Sequence, residues 1–304
     1  MAILRGPERA LLLPERCLVG RSRSCDLVLS AGDVSGEHAV VQWSADHWEL
    51  RELGSRNGSF VDGTRLAAGE RAALQVGTRL RFGRLAPVWT LEDVGPPRLM
   101  AVALADAACR VAEGGYLALP GPEQPTLAVY QGQDGAWVVE QDGVTRPAAD
   151  RDVLDAGGLW RVHLPSALGG TWEDATDLAI VARLRLVFRF SRDEEQVELV
   201  AYCGERRFDL QARVHHYPLL LLARRRLADA AAGLPAAEQG FMKQDELLAM
   251  LRLKEDHLGI YIHRARVQLG KAGVADAAAL VERRAGTRML RIGVAALELQ
   301  AMEA

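Results

Sequence analysis

Three short strings in the first sixty residues collect the group types that bind a phosphate dianion: Gly20-Arg21-Ser22, Ser35-Gly36-Glu37-His38 and Gly54-Ser55-Arg56-Asn57-Gly58. Holding such an anion without catalysis takes a fixed guanidinium, a hydroxyl donor and free backbone amides on rigidly held loops. Arg21 offers the first, Ser35 the second, and the glycine-bearing turns the third. A histidine beside a strand more often bonds backbone than ligand, so His38 and Gly58 read as architectural, and Gly20 as a point of tight approach. This is recognition chemistry. The chain holds no Walker-type loop, nucleophile elbow, H-E-x-x-H or kinase signature, so no catalytic residue and no cofactor is expected. His215-His216 is the only adjacent pair among seven histidines and has no Cys or carboxylate at ligand spacing, so no metal site is expected either.

Such groups work only if strands hold them. From Ile3 to about Glu92 short alternating runs such as Ala39-Val40-Val41-Gln42-Trp43, Trp48-Glu49-Leu50 and Thr78–Phe82 are punctuated by Asn57-Gly58, Asp62-Gly63, Gly69 and Gly77, the habit of an all-β sandwich. Gly95-Pro96-Pro97 then marks a boundary. The order G-R, S-x-x-H, N-G between short strands resembles the forkhead-associated (FHA) family over residues 1–95. That resemblance implies a β-sandwich whose loops bind phosphothreonine peptides. It implies that Arg21 approaches the phosphate or peptide backbone, that Ser35 donates its hydroxyl to a phosphate oxygen and that Asn57 bonds the peptide main chain. Arg56 stands where the family often has Thr, and its guanidinium substitutes by charge. Gly36 stands where many members carry Arg or Asn, which removes one anchor.

Residues 96–165 are again strand-like. Asp134–Glu140 echoes Asp46–Glu52, and Gly158–Val162 echoes Gly77–Phe82, yet no G-R, S-x-x-H or N-G recurs in order. A degenerate FHA-like copy and an unrelated β-rich unit with generic hairpin chemistry are both open readings, and neither binds phosphate. Residues 166–179 are rich in Gly and acidic residues and read as a linker. Thr171 there is followed three residues later by Asp174, so a kinase would make it a ligand for the chain's own reader; a plain solvated linker is the competing reading.

Residues 180–304 change character. Strand runs at 184–190, 197–202 and 207–210 precede helical patterns at 215–232, 245–251 and 255–271, and a hairpin over 280–292 follows. Strands, three helices and a hairpin make the order of a winged helix-turn-helix, and Ile262–Leu269 with Leu290-Arg291-Ile292 resembles the OmpR/PhoB type. In the helix at 255–271, Leu258, Ile262, Ala265 and Leu269 fall on the buried side, leaving Ile260, His263, Arg264 and Val267 outward. Arg264, with His263 beside it, is the base-edge candidate. By resemblance Arg266 serves a phosphate or a structural ion pair, and Arg284 and Arg288 reach the DNA backbone or minor groove.

Composition bounds the rest. At 304 residues, 49% hydrophobic and 25% charged, the chain reads as two or three folded domains without a long disordered tail. Net charge is -3, but residues 180–304 hold 20 Lys and Arg against 16 Asp and Glu, leaving 17 against 24 before them, so the basic surplus is C-terminal. Cys17, Cys25, Cys109 and Cys203 form no C-x-x-C pair, and no apolar run reaches membrane-spanning length, so a cytoplasmic setting without a membrane partner is expected. The chain is therefore read as multidomain, β plus α+β. The function expected is that of a phosphothreonine-binding regulator acting on double-stranded DNA, alone or as a homodimer. The alternative is a phosphothreonine-reading scaffold whose winged helix makes protein contacts.

Overall fold

The structure is a computed structural model describing residues 1–132, 135–166, 179–253, 255–284 and 286–302. Residues 167–178 of the linker, Thr171 among them, lie outside the described residues. The chain divides into two compact units, Met1–Met100 with His163–Gly169, and Ala101–Val162 with Gly170–Ala304. Of residues 96–165, set apart in the sequence as their own domain, 101–162 thus cluster with the C-terminal part.

The first unit carries β1 (Ile3–Arg5), β2 (Ala10–Leu12), β3 (Arg16–Gly20), β4 (Leu27–Val28), β5 (Ala39–Ser44), β6 (His47–Glu52), β7 (Ser59–Val61), β8 (Thr64–Arg65), β9 (Arg71–Leu74), β10 (Arg79–Phe82) and β11 (Trp89–Asp93). They form two sheets, β2-β1-β11-β10-β7-β8 and β4-β3-β5-β6-β9. Period-2 alternation sends Cys17 and Val19 of β3, Trp48 and Leu50 of β6 and Leu80 and Phe82 of β10 into one core. Burying each large side chain is worth roughly 1.5–3 kcal/mol. Because β3, β5, β6 and β9 run as successive antiparallel neighbours, the β3–β5 and β6–β9 connections leave the sheet at the same end. All three motif strings sit on those two connections.

The second unit begins with β12 (Met100–Ala103), β13 (Cys109–Val111), β14 (Tyr116–Leu119), β15 (Leu127–Gln131), β16 (Trp137–Gln141), β17 (Val144–Pro147), β18 (Val153–Asp155) and β19 (Leu159–His163). Their sheets are β13-β12-β19-β18 and β14-β15-β16-β17. Place for place these repeat β2-β1-β11-β10 and β3-β5-β6-β9. The echo of Asp46–Glu52 in Asp134–Glu140 falls on matching strands, β6 and β16, and in both a glutamate faces an alanine across the ladder, Glu52 opposite Ala39 and Glu140 opposite Ala128. The echo of Gly77–Phe82 in Gly158–Val162 does not: by sheet position β19 corresponds to β11, and β18 to β10.

The remaining elements are β20 (Arg185–Phe190), β21 (Val197–Cys203), β22 (Arg206–Ala212), α1 (His216–Ala231), β23 (Met242–Lys243), α2 (Gln244–Leu251), α3 (Glu255–Lys271), β24 (Val281–Arg283), β25 (Met289–Ile292) and β26 (Ala296–Ala301). Leu258, Ile262, Ala265 and Leu269 lie four, three and four residues apart and are buried along one face of α3, joining Leu219, Leu220 and Phe188 in a single core. Arg226 of α1 is buried and donates through Nη1 to the Ile292 carbonyl at 2.6 Å, tying the helix to β25. The small sheet has the order β23-β25-β24. Strand β26, which no sequence pattern announces, pairs in parallel with β20 at the edge of the sheet β22-β21-β20-β26. Among the described residues no helix is long and apolar enough to cross a membrane.

Candidate functional site

Gly20 ends β3 and explains its own lack of a side chain: a Cβ there would lie 2.2 Å from the Gly36 carbonyl oxygen. That approach lets the chain zip across the gap. The Arg21 N–H donates to the Ser35 carbonyl at 2.8 Å, and the Ser22 N–H to the Gly36 carbonyl at 2.9 Å. From the other connection the Arg56 N–H donates to Ser35 Oγ at 3.1 Å, and Asn57 Nδ2 donates to the Asp33 carbonyl at 2.7 Å. Arg21, Ser35, Arg56 and Asn57 therefore sit on one cluster of loops. Ser35 Oγ is an acceptor within the protein, so its proton remains to donate outward. The Arg21 and Arg56 side chains are exposed, and no described residue pairs with either guanidinium.

The loops stand on a buried polar frame. His38 is fully buried, and its Nδ1 accepts the Ser35 N–H at 3.1 Å, which puts the ring proton on Nε2, 3.2 Å from the Gly58 carbonyl it donates to. Ser55 Oγ lies 3.0 Å from the same Nε2 and accepts the Gly58 N–H at 3.0 Å. Gly58 has φ +79, and a Cβ there would meet Arg65 Nε at 2.4 Å, so any other residue would be strained in the turn and would displace the Arg65 side chain. Glu52, 1% exposed, accepts the Ser55 N–H and the Ser59 hydroxyl. Burial opposes its charge, but the hydrogen bonds from Ser59 and Ser55 prevail and hold its carboxyl below the ordinary value.

Asp33 locks in a third loop, which sequence reasoning missed. Its carboxylate accepts the N–H groups of Arg84 at 2.5 Å and Leu85 at 2.6 Å, and those bonds, that from Leu85 first, lower its pKa. The Gly83 N–H also donates to the Gly58 carbonyl at 2.9 Å. Asp33, Glu52 and Ser55 are ordinary loop and strand residues in one dimension; only Ser55, inside the third string, lay in view.

The residues expected to meet DNA are placed differently. His263 does not face outward: it is 4% exposed, with its ring 5.2 Å from that of Tyr116, because β14 lies against the α3 face that helical periodicity leaves open. Burial, with Arg266 nearby, pushes its pKa down to about 4, so the imidazole is neutral. Arg266 is fully buried and forms a structural ion pair, its guanidinium 5.0 and 4.9 Å from the rings of Tyr116 and Tyr130 and its Nη1 donating to Glu140 Oε2 at 3.1 Å. Arg264 lies 3.5 Å from Glu123, Arg284 lies 2.8 Å from Glu238 and over the Phe241 ring, and Arg288 lies 3.9 Å from Asp245. Each expected DNA-contacting arginine has an acidic partner in the chain. His215 and His216 both direct Nε2 at Gln268 Oε1, at 2.7 and 2.9 Å.

Glu140 is the hub of the buried group. It accepts Arg266, Arg283 Nε at 2.6 Å and the Tyr130 hydroxyl at 2.8 Å. Burial works against its charge, yet Arg266 and Arg283 bring the carboxyl down to about 2. Nothing local marks Glu140 in the sequence, since its two arginine partners lie more than a hundred residues away.

Comparison with known proteins bears on the first unit. Residues 17–83 match the FHA domain family profile. DNA damage response protein kinase DUN1 of Saccharomyces cerevisiae is 34% identical over 91 residues, covering 27% of this chain and 18% of the kinase. FHA domain-containing protein FhaB of Mycobacterium tuberculosis is 31% identical over 78 residues, covering 26% of this chain and 49% of that protein. The similarity thus spans about half the length of the mycobacterial relative and under a fifth of the kinase. Among solved structures, Mycobacterium tuberculosis EmbR in complex with a low-affinity phosphopeptide aligns over 30% of this chain and 24% of its own, at 26% identity and a TM-score of 0.28. Residues 17–83 of this chain, inside the two-sheet unit whose loops carry the motif strings, are an FHA domain.

Proposed function

We propose that the chain is a signalling adaptor that binds a threonine-phosphorylated protein at the loop cluster of its first unit. Arg21 and Arg56 meet the phosphate, Ser35 donates its hydroxyl to it, and Asn57, whose second amide hydrogen and carbonyl remain open, bonds the peptide main chain. The observation that carries this reading is the double engagement of Ser35: its carbonyl holds the Arg21 loop and its Oγ the Arg56 loop. One residue thereby fixes the backbone that carries two unpaired guanidiniums beside a hydroxyl free to donate, and a preorganised backbone loses little entropy on binding. Fluorescence polarisation of the full chain with a phosphothreonine peptide library tests it. Binding that requires the phosphate and is lost in Arg21→Ala and Ser35→Ala is the expected result; equal binding of unphosphorylated peptides would overturn it.

For the C-terminal elements we propose a winged-helix arrangement used for protein contact. The order β23, α2, α3, β24, β25 supports the winged helix. The burial of Arg266 against Glu140 and the carboxylates beside Arg264, Arg284 and Arg288 support protein contact, since phosphate neutralisation dominates DNA affinity and neighbouring acidic groups oppose it. DNA-binding transcription regulation is the second reading, favoured by that element order. A gel shift separates the two: a salt-sensitive complex with duplex DNA supports the second and sinks the first.

A further inference from the structure

Between matching strands, the two halves of the duplicated sheet order differ most where the first unit builds its site. The β3–β5 connection, residues 21–38, corresponds to residues 120–126 between β14 and β15. The β6–β9 connection, residues 53–70, corresponds to the two-residue turn Asp142-Gly143, with φ +50 and +76. In the first unit Glu52, at the end of β6, gives its carboxylate to that connection through Ser55 and Ser59. The corresponding Glu140 of β16 has no such loop to hold, and its carboxylate goes to Arg266 of α3 and Arg283 of β24.

The contact is built along its whole length. At one end of β14, the Cα of Gly114 lies 2.7 Å from where a Cβ on Gly270 of α3 would stand, so neither position has room for a side chain, and Glu113 pairs with Lys271 at 2.9 Å. At the other end, a cavity of about 490 Å³ is lined by Thr126 and Asp142 from the sheet and by Gln244, Leu258 and Gly259 from α2 and α3. A Cβ on Gly143 would lie 2.6 Å from Gln244 Oε1 and 3.2 Å from Arg283 Nη1. Arg266, with no exposed surface, fills the centre.

We propose that residues 101–162 are a second copy of the reader sandwich turned into an in-chain clamp: having lost the ligand loops, it holds α3 and the β24–β25 hairpin of its own chain, with Glu140 as the anion their arginines bind. The clamp keeps the α3 arginine face from nucleic acid and makes the sheet and the helices one cooperative body. It stands independently of phosphopeptide binding by residues 1–95.

Hydrogen exchange of the full chain tests it. In Glu140→Gln, peptides from α3 and from β15–β16 lose protection together by at least about tenfold, while peptides from residues 1–95 exchange as in wild type. Gly143→Ala covers the case in which that variant melts the second unit outright: its methyl meets Gln244, and α2, the hairpin and the β16–β17 turn loosen together. Wild-type protection of β15–β16 beside a loosened α3 overturns the clamp, and so does unchanged protection in both variants. A salt-sensitive complex of the wild-type chain with duplex DNA that Arg264→Ala abolishes overturns it as well.

Discussion

Ser35 Oγ accepts the Arg56 backbone N–H at 3.1 Å, fastening the turn of the third motif string onto the residue that anchors the second. Replacing the hydroxyl removes both the latch and the donor left for a ligand. In Ser35→Ala, affinity for a phosphothreonine peptide falls by roughly 10- to 100-fold, the equivalent of a charge-assisted hydrogen bond of about 1.5–3 kcal/mol. Titration by fluorescence polarisation reads this, and a change under about twofold would remove Ser35 from the phosphate contacts.

Arg21 and Arg56 differ in what they add. In the proposed site a lysine at 21 keeps charge but loses the planar fork suited to two phosphate oxygens, so Arg21→Lys is expected to recover only part of what Arg21→Ala loses. In the proposed site Arg56 contributes charge, so Arg56→Lys is expected to bind nearly as well as wild type, and the loss in Arg56→Ala to shrink as salt rises. Titrations at two ionic strengths check both; equal behaviour of the two lysine variants would show that the fork geometry at Arg21 is unimportant.

Gly20→Ala drives a methyl against the Gly36 carbonyl and pries the Arg21–Ser22 segment from Ser35–Gly36. The first unit loses about 1–3 kcal/mol of stability, with phosphopeptide binding lost beyond that. Gly32→Ala is the control, since a Cβ there meets nothing within 4 Å. Urea denaturation of the two variants, followed by tryptophan emission, distinguishes steric conflict from a general intolerance of the loops.

Glu140→Ala leaves Arg266 and Arg283 without their shared carboxylate, and one orphaned buried charge costs roughly 3–5 kcal/mol. The loss falls on the second unit, so its unfolding moves to lower denaturant while the first unit's transition stays in place. Calorimetry or exchange-resolved denaturation reads the two separately, and a shared shift would mean that the units unfold as one.

Acid weakens the second unit in two stages. His263 and His216 are held by burial near 4, below the ordinary 6.5, so the unfolded chain takes up protons first; the stability of their neutral forms is complete above pH 6.5 and is lost as pH falls from there to about 4. Glu140, brought from 4.5 to about 2, adds stability that is complete above pH 4.5 and is lost between 4.5 and 2. Exchange of α3 peptides across this range follows both stages, and His263→Asn removes that residue's share of the first while leaving the share of His216; a wild-type profile flat from pH 7 to about 4 would contradict it.

Much of this was legible in one dimension, for local reasons. Turn glycines and alternating runs announced β5, β6 and β10, and apolar spacing announced α1, α2 and α3, because a strand or helix records its period in its own residues. The same rule misled at His263. Helical periodicity says which side of α3 faces its own core, but it is blind to a second surface laid on the other side by Tyr116. Strand β26 escaped notice because Ala296–Ala301 owes its state to β20, more than a hundred residues earlier.

What the sequence by itself determined is the inventory: an arginine, a serine and an asparagine on glycine-bearing turns in the order of an FHA domain, and the periods of the elements between them. Those are properties of neighbours along the chain. The tertiary structure alone decided that Asp33 latches a third loop to the second, that Glu52 serves its own loop while Glu140 serves α3, and that Arg266 is an internal cation without exposure to solvent. A buried charge is tolerated only where a partner neutralises it, and Arg266 finds its partner 126 residues away, at a distance no local pattern encodes.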